Sequence, residues 1–440
     1  MEATRVAPPS TTERPDGPER PARSSLRNAL AVRDFRLLWI GQSASSLGDQ
    51  FMIIALPWFV LQLTGDPLAL GITLALQGIP RALFMLLGGA ITDHVPSRTV
   101  MLVSDLIRLA VTALMAVLMF AGQVQMWMLY AGALIFGIVS GFFTPAATSI
   151  VPRLVPKEDL QAANGLFQGS AQLSIFVGPL LAGGLIALLG KGASPRVPGA
   201  LTGIALCVII DAVSFLVSVL TLWLMRAEPL SSADGPAQGA RSVLASVWEG
   251  LRSAWGDPML RTVLVLIAGM NLLFTGPVLV GIPVLAKDRL PEGAAAYGLL
   301  MSGYAGGNIL GYVLSSTLKT RRLGLVGTLM MAVFGIAGVV FGLSASTWLD
   351  FVVLFLLGAG TGYLAILFLT WLQTHTPASM LGRMMSLVLF FLNGLAPVSQ
   401  ALSGAIVKLS LSGLFVGAGV SMLLLSLFAG ANRQVSALEL

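Results

Sequence analysis

The chain has 440 residues, of which 56% are hydrophobic and only 10% charged. Soluble domains run near one quarter charged, so this balance excludes an ordinary soluble protein and belongs to one solvated by lipid. The net charge of +6 does not point to nucleic acid, because the basic residues sit in short tails and loops between apolar stretches, which is the pattern of membrane orientation.

Residues 1–34 are rich in Pro, Arg, Ser and Glu and are expected to form a disordered cytoplasmic tail. The first apolar segment is too long for a cleavable signal and is expected to act as an uncleaved insertion signal. A membrane-spanning helix needs roughly 20 mostly apolar residues. On that basis spans are expected at 37–63, 68–92, 99–121, 127–150, 162–189 and 200–225, then at 262–286, 295–317, 324–345, 348–373, 384–408 and 412–430. The single cysteine, Cys207, falls within one of these runs, which leaves no disulfide framework or thiol metal site. The expected fold is an all-α membrane protein of twelve transmembrane helices.

Lys and Arg in the short connections set the orientation. With a cytoplasmic N-terminus, the inside collects Arg27, Arg33, Arg36, Arg98, Arg153, Lys157, Arg226, Arg241, Arg252, Arg261, Lys319, Arg321, Arg322, Arg383 and Arg433. The outside keeps Lys191, Arg196, Lys287, Arg289 and Lys408. Both termini, including the short tail 431–440, are then inside, and the expected location is the bacterial cytoplasmic membrane. The break at 227–260 carries Val243, Leu244, Val247, Leu251 and Trp255 at helical spacing. It reads as a cytoplasmic linker with an amphipathic helix on the inner face, dividing six-helix bundles at 35–226 and 261–430.

The halves match at an offset of about 220 residues, the mark of a repeat related by a pseudo-twofold axis. Arg36 pairs with Arg261, Asp49 with Asn271, Gly89 with Gly311, Pro156 with Pro377 and Pro179 with Pro397. Two six-span halves around a long cytoplasmic loop resemble the major facilitator superfamily. The loop Gly88-Gly89-Ala-Ile-Thr-Asp93-His94-Val-Pro96-Ser97-Arg98 is similar to its Gly-x-x-x-Asp signature, although His94, Pro96 and Ser97 replace the usual basic, glycine and basic residues. Gly178-Pro179-Leu-Leu-Ala-Gly183-Gly184, with Gly169 upstream, is similar to the exporter signature, with one extra residue after the proline. Phe35-Arg36-Leu-Leu-Trp39, Gly48-Asp49, Pro80-Arg81, Val151-Pro152 with Ala163-Asn164, and Gln373 through Pro377 to Gly382-Arg383 resemble the drug-exporter branch that includes macrolide efflux proteins and the enterobactin exporter.

A charge at the bilayer centre costs about 2.5–3.5 kcal/mol on insertion scales, so intramembrane ionisable residues are functional candidates. Asp49 and Arg81 sit midway along spans one and two and are expected to pair. Asp49 would take up a driving proton with Arg81 tuning its affinity, or the two form a permanent structural ion pair. Asp211, in span six, is either a second protonation site or a neutral hydrogen-bonded acid. Asp105 and Arg108, three apart, share a helix face. With Gly89, Asp93 and Arg98 the resemblance makes them a conformational latch, with simple interface anchoring as the alternative. Gly169, Gly178, Pro179, Gly183 and Gly184 are expected to let helices approach closely, and the resemblance adds an exporter role. Gln50, Trp58, Asn271, Phe274 and Trp371 are the expected cavity lining, with Gln42, Phe51, Gln168, Gln172, Asn308, Asn393 and Gln400 as further polar or aromatic candidates.

Enzyme signatures fail. Gly190-Lys191 is followed by Gly192, not Ser or Thr, and lacks the spacing of a phosphate loop. The two histidines, His94 and His375, are far apart, so no catalytic residue, metal site or cofactor is expected. The leading expectation is a proton-coupled exporter of amphiphilic small molecules such as drugs, antibiotics or siderophores, acting as a monomer with a small-molecule substrate, protons and membrane lipids as partners. A lipid or lysolipid flippase on the same fold, and a membrane sensor that no longer transports, are the alternatives.

Overall fold

A computed structural model describes residues 22–92, 95–190, 201–226, 252, 255–256, 258–318, 320, 322–375, 388, 391, 394–432 and 435. Most of the expected linker helix, Asp93, Asn393, Lys191 and Arg196 lie outside the described residues. Within them the first group of helices is α1 (Ala22–Ala31), α2 (Arg33–Thr64), α3 (Pro67–Thr92), α4 (Ser97–Phe120), α5 (Met126–Leu154), α6 (Leu160–Leu189) and α7 (Thr202–Leu224). The second is α8 (Pro258–Gly276), α9 (Ile282–Asp288), α10 (Ala294–Thr317), α11 (Leu323–Leu343), α12 (Thr347–His375), α13 (Ala396–Leu409) and α14 (Leu411–Ala431).

Ten helices among the described residues are long and apolar enough to cross a membrane, with α8 and α9 counted as one span, Pro258–Asp288. α10 is long enough but is not among them, because glycine, serine, tyrosine and Asn308 dilute its hydropathy. α13 has 14 described residues, too few to cross.

Residues 22–34 correct the expected tail. α1 is helical and packs Ala29, fully buried, with Leu30 and Val32 against a cluster of Phe35, Leu38, Met101, Ile150, Val155 and Ala163. Leu26, Ala29 and Leu30 recur at helical spacing, a signal hidden by the polar composition around them.

The first group is held together where small residues face each other. Gly41, Ser45 and Gly48 form a stripe on α2, and Asp211, Ser214, Ser218 and Thr221 form one on α7. A Cβ on Gly41 would overlap the Thr221 hydroxyl and sit 3.2 Å from the Ser218 backbone, so glycine favours this close approach.

The two groups meet at one end, where α2 ends and α3 begins. Gly71 of α3 faces Gly404 of α13, and Gly183 of α6 faces Gly298 of α10, each at a distance that leaves no room for a methyl group. Asp66 pairs with Lys408 at 3.2 Å, and Lys287 donates to the Leu61 carbonyl in the last turn of α2, where the helix dipole favours a cation. Pro57 inside α2 has no N–H, so the Ile53 carbonyl one turn back loses its helical partner. Tyr297 of α10 supplies the missing donor, its hydroxyl donating to that carbonyl at 3.2 Å.

A second break in a helix ladder lies between α8 and α9. The Ser399 hydroxyl of α13 accepts from Gly276 N–H at 2.8 Å and donates to the Leu272 carbonyl at 2.6 Å, standing between two groups that would otherwise bond each other. Pro277, again without an N–H, follows, and Pro277–Gly281 winds as a π-helix.

The Pro57–Tyr297 pairing predicts a coupled effect. Tyr297→Phe should lower stability by about 1 kcal/mol, but by little in a Pro57→Ala background, where the N–H restored by the alanine serves Ile53 again. Thermal unfolding of the four proteins tests this, and an equal loss in both backgrounds would contradict it.

Candidate functional site

Two large cavities are lined by the described residues. The first, of about 580 Å³, is bounded by α2, α3, α4 and α5, with Tyr297, Pro397 and Gln400 of the second group closing one side. Its lining repeats every three to four residues. Asp49, Gln50, Ile53, Leu56 and Pro57 come from α2, Leu74, Gln77, Gly78, Arg81 and Met85 from α3, and Arg108, Val111, Thr112 and Met115 from α4. The second, of about 640 Å³, is built by the second group alone and is almost wholly apolar. Met270, Phe274, Met301, Tyr304, Met331, Phe334, Phe368 and Trp371 line it, with Asn271, Thr275, Thr328 and Thr361 as polar exceptions. Leu279, in the π-helical turn, is part of both walls.

Charge in the first cavity is organised around Arg108. Its guanidinium meets Asp105 at 3.4 Å, donates to Ser140 Oγ at 3.0 Å, and lies 4.3 Å over the Phe143 ring and 5.6 Å from that of Phe215. Asp105 is fully buried and accepts a second bond, from Ser218 Oγ of α7 at 2.6 Å. The pair is therefore desolvated but compensated from α4, α5 and α7, the condition under which a buried ion pair is tolerated.

Asp49 and Arg81 do face one cavity, but no ion pair joins them. Both side chains are open to it, which lowers the cost of charge that argues for a direct pair in hydrocarbon. Asp211 is the reverse. It is fully buried behind Gly48, and neither carboxylate oxygen meets a hydrogen-bond donor among the described residues.

The loop signature is placed in part. Arg98 donates to the carbonyls of Leu222 and Trp223 at 2.7 and 2.9 Å, capping the C-terminus of α7, with Arg33 donating to Leu224 beside it at 3.4 Å. These bonds, like Asp105–Ser218, tie elements of the first group to α7. Gly89 lies in the last turns of α3, and Asp93 is outside the described residues.

Of the exporter signature, Gly178 packs on Gln50 of α2, while the Pro179 carbonyl and Gly183 meet Gly298 across the interface between the groups. Gly169 and Gly184 do not serve close approach, since a Cβ on either would meet nothing within 4 Å. Gly169 is nine residues before Gly178, about two and a half turns, and so on the opposite face. Gly184, next to Gly183, points away from α10.

Gln50 lines the first cavity, and Asn271, Phe274 and Trp371 line the second. Trp58 corrects the expectation. Nine residues past Asp49 it is turned from the cavity, is 7% exposed, and packs beside Gly293. Ser140, Phe143 and Ser218, which contact the ion pair, are not singled out by the sequence. The spacing of Ser214 and Ser218 from Asp211 along one face of α7 is the available signal.

Residues 38–401 match the Major Facilitator Superfamily. The chain belongs to that superfamily. Its members move small molecules and are not enzymes, and a multi-pass protein of the cell membrane follows from membership together with the spans. Among similar superfamily proteins, the multidrug efflux pump Tap of Mycolicibacterium fortuitum is 27% identical over 419 residues, covering 92% of this chain and 97% of that one. The enterobactin exporter EntS of Escherichia coli O9:H4 (strain HS) is 25% identical over 391 residues, 86% of this chain and 85% of its own. Macrolide efflux protein A of Streptococcus pyogenes is 28% identical over 148 residues, 34% of this chain and 36% of its own. These are the relatives that the short motifs resemble. In structure, the nucleoside transporter NupG superposes with a TM-score of 0.69 at 13% identity, over 90% of this chain and 98% of that one, a likeness of superfamily fold.

The ion pair predicts asymmetric effects. Asp105→Ala should destabilise the protein by about 3–5 kcal/mol, because Arg108 is left buried without its counter-ion, and the double variant Asp105→Ala with Arg108→Met should lose much less. Thermal unfolding in detergent measures both, and a double variant as unstable as the sum of the singles would contradict mutual compensation.

Proposed function

We propose that the chain is a secondary active exporter of amphiphilic small molecules, driven by proton antiport and working by alternating access. The observation that carries the reading is the pairing of two cavities of unlike chemistry across one shared residue, Leu279. One presents a carboxylate and a guanidinium at Asp49 and Arg81, and the other presents clustered aromatic rings, with Phe274 stacked on Phe334 at 5.1 Å and tilted against Tyr304 at 6.0 Å. A molecule with a polar head and a flat apolar body suits that combination. The efflux relatives support the direction.

In this reading the fold has twelve transmembrane helices in two six-helix halves related by a pseudo-twofold axis, with α10 and α13 completing the ten apolar spans. Both termini are cytoplasmic and the protein works as a monomer among membrane lipids. The closed end, with Tyr297–Ile53, Lys287–Leu61, Asp66–Lys408 and Gly183 against Gly298, is then the outer face. Cargo enters from the cytoplasm, and release requires those contacts to part. Asp49, Arg81 and Asp211 are the coupling groups, and Asp105–Arg108 with Arg98, Gly89 and Asp93 latch the first half.

Reconstitution into liposomes tests this with two probes, ethidium and erythromycin. An imposed pH gradient should drive at least one of them uphill, a protonophore should abolish the accumulation, and Asp49→Asn should keep downhill flux while losing uphill transport. Accumulation that survives the protonophore, or an Asp49→Asn protein that pumps as well as the parent, would contradict proton antiport.

A further inference from the structure

The first group of helices brings more acids than bases into its interior, spread over about two turns of α7, since Asp105 meets Ser218 while Gly48, beside Asp49, meets Asp211. Apart from Arg33 and Arg98, which bond the last carbonyls of α7, the charged groups of this interior are Asp49 from α2, Arg81 from α3, Asp105 and Arg108 from α4, and Asp211 from α7 itself. α5 adds Ser140 and Phe143 and carries no charge before Arg153, and α6 carries none. Cys207, one turn from Asp211, is a buried thiol lying 4.0 Å from the Ala182 carbonyl of α6. Three carboxylates therefore share two guanidinium groups. Full ionisation leaves an unbalanced negative charge where solvation is poorest.

The three acids differ in what compensates them. Asp105 has Arg108 and the Ser218 hydroxyl. Asp49 has the open cavity. Asp211 has neither, and even its nearest hydroxyl is turned away, since Ser214 Oγ donates to the backbone carbonyl of Asp211 at 2.7 Å. A buried acid with two unpartnered oxygens carries the least tolerable charge of the three.

Asp211 is nevertheless only one layer from the cavity. Val208, one turn before it on α7, is part of the cavity wall, and so is Asp49. Gly48 is the partition. A Cβ there would fall 2.8 Å from Asp211 Oδ1, so the acid rests against bare α2 backbone next to Asp49.

We propose that Asp211 is the residue that holds the coupling proton, and that it exchanges this proton with the cavity through Asp49 when α2 slides or tilts at Gly48. In the conformation described here the proton is on Asp211, and the charges of Asp49 and Asp105 are balanced by Arg81 and Arg108. Displacement of α2 brings the two acids together. The O–H bond of Asp211 breaks, the proton forms a new O–H bond on Asp49, and the negative charge passes to Asp211 as water reaches it. Asp49 then releases the proton to the cavity, and the reverse sequence reloads Asp211. The assignment rests on the proton antiport proposed above, but its first test does not need transport.

Infrared spectroscopy of the purified full chain at neutral pH reads the C=O stretch of protonated carboxyl groups. A component of that band should vanish in Asp211→Asn and persist in Asp49→Asn. A spectrum of Asp211→Asn identical to the parent's would overturn the proposal. Asparagine has the shape of the neutral acid, so the variant should fold, and an unshifted melting temperature verifies that. In liposomes, Asp211→Asn should retain downhill ethidium flux and lose accumulation driven by a pH gradient. Uphill pumping by Asp211→Asn, or loss of its downhill flux with normal folding, would also overturn the assignment. If the parent shows the Asp211 band but no gradient-driven transport of any probe, the antiport reading fails while the site of the proton stands.

Discussion

The buried pair Asp105–Arg108 is the interaction around which the first group of helices is arranged. Hydrocarbon offers a charge no solvent, so each charged side chain brought there must be paired, hydrogen-bonded or opened to a cavity. Arg108 is paired with Asp105, bonded to Ser140 under the Phe143 face, and also borders the first cavity. Because Asp105 also takes the Ser218 hydroxyl, α4 and α7 are held in one register. That register sets the small-residue contact of α7 with α2, and the contact in turn puts Gly48 over Asp211 and turns Asp49 to the cavity.

The same economy governs the joint between the two groups of helices. Prolines inside α2 and after α8 leave backbone groups without helical partners, and the opposing group contributes at the first of them through Tyr297. Such a bond is available only while the groups are together. Parting them would expose the Ile53 carbonyl to whatever water enters the opening, a smaller cost than breaking a continuous helix. The glycine contacts at Gly71–Gly404 and Gly183–Gly298 act alike, since flat backbone surfaces separate without unlocking side chains. Closure at one end and a polar cavity just beneath it share Pro57 and Tyr297, so the cavity floor and the joint are built from the same residues.

Much of this is legible in the residues without coordinates. Apolar runs locate the spans because lipid imposes a simple length rule, and Asp105 and Arg108 announce their pairing by a spacing of three. The failures have physical reasons. A direct Asp49–Arg81 pair is expected from the cost of charge in hydrocarbon, but that cost depends on a cavity that hydropathy cannot see. Residue type assigns Trp58 to the lining, whereas its angular position, half a turn from Asp49, already places it elsewhere. The motif groups Gly169 and Gly184 with Gly178 and Gly183, although neighbours along a helix point in different directions. The α1 helix is obscured because composition averages over the few apolar residues that dock it. Ser218 and Tyr297 act across long sequence separations, on partners that a single sequence does not name.

If Asp211 holds the coupling proton, the charge state of the first helical group decides whether the two groups stay closed. A deprotonated Asp211 cannot remain sealed and unsolvated, so raising the pH should favour the conformation open at the end where α2 meets α3. Spin labels at Gln123→Cys and Leu409→Cys, in a Cys207→Ala background, span that end from opposite groups, and both positions are exposed. Double electron–electron resonance should show a longer-distance population growing as the pH rises, and an Asp211→Asn protein should not respond. A distance distribution that is the same at every pH, or an Asp211→Asn protein that responds as its parent does, would show that the charge of Asp211 does not govern the closure.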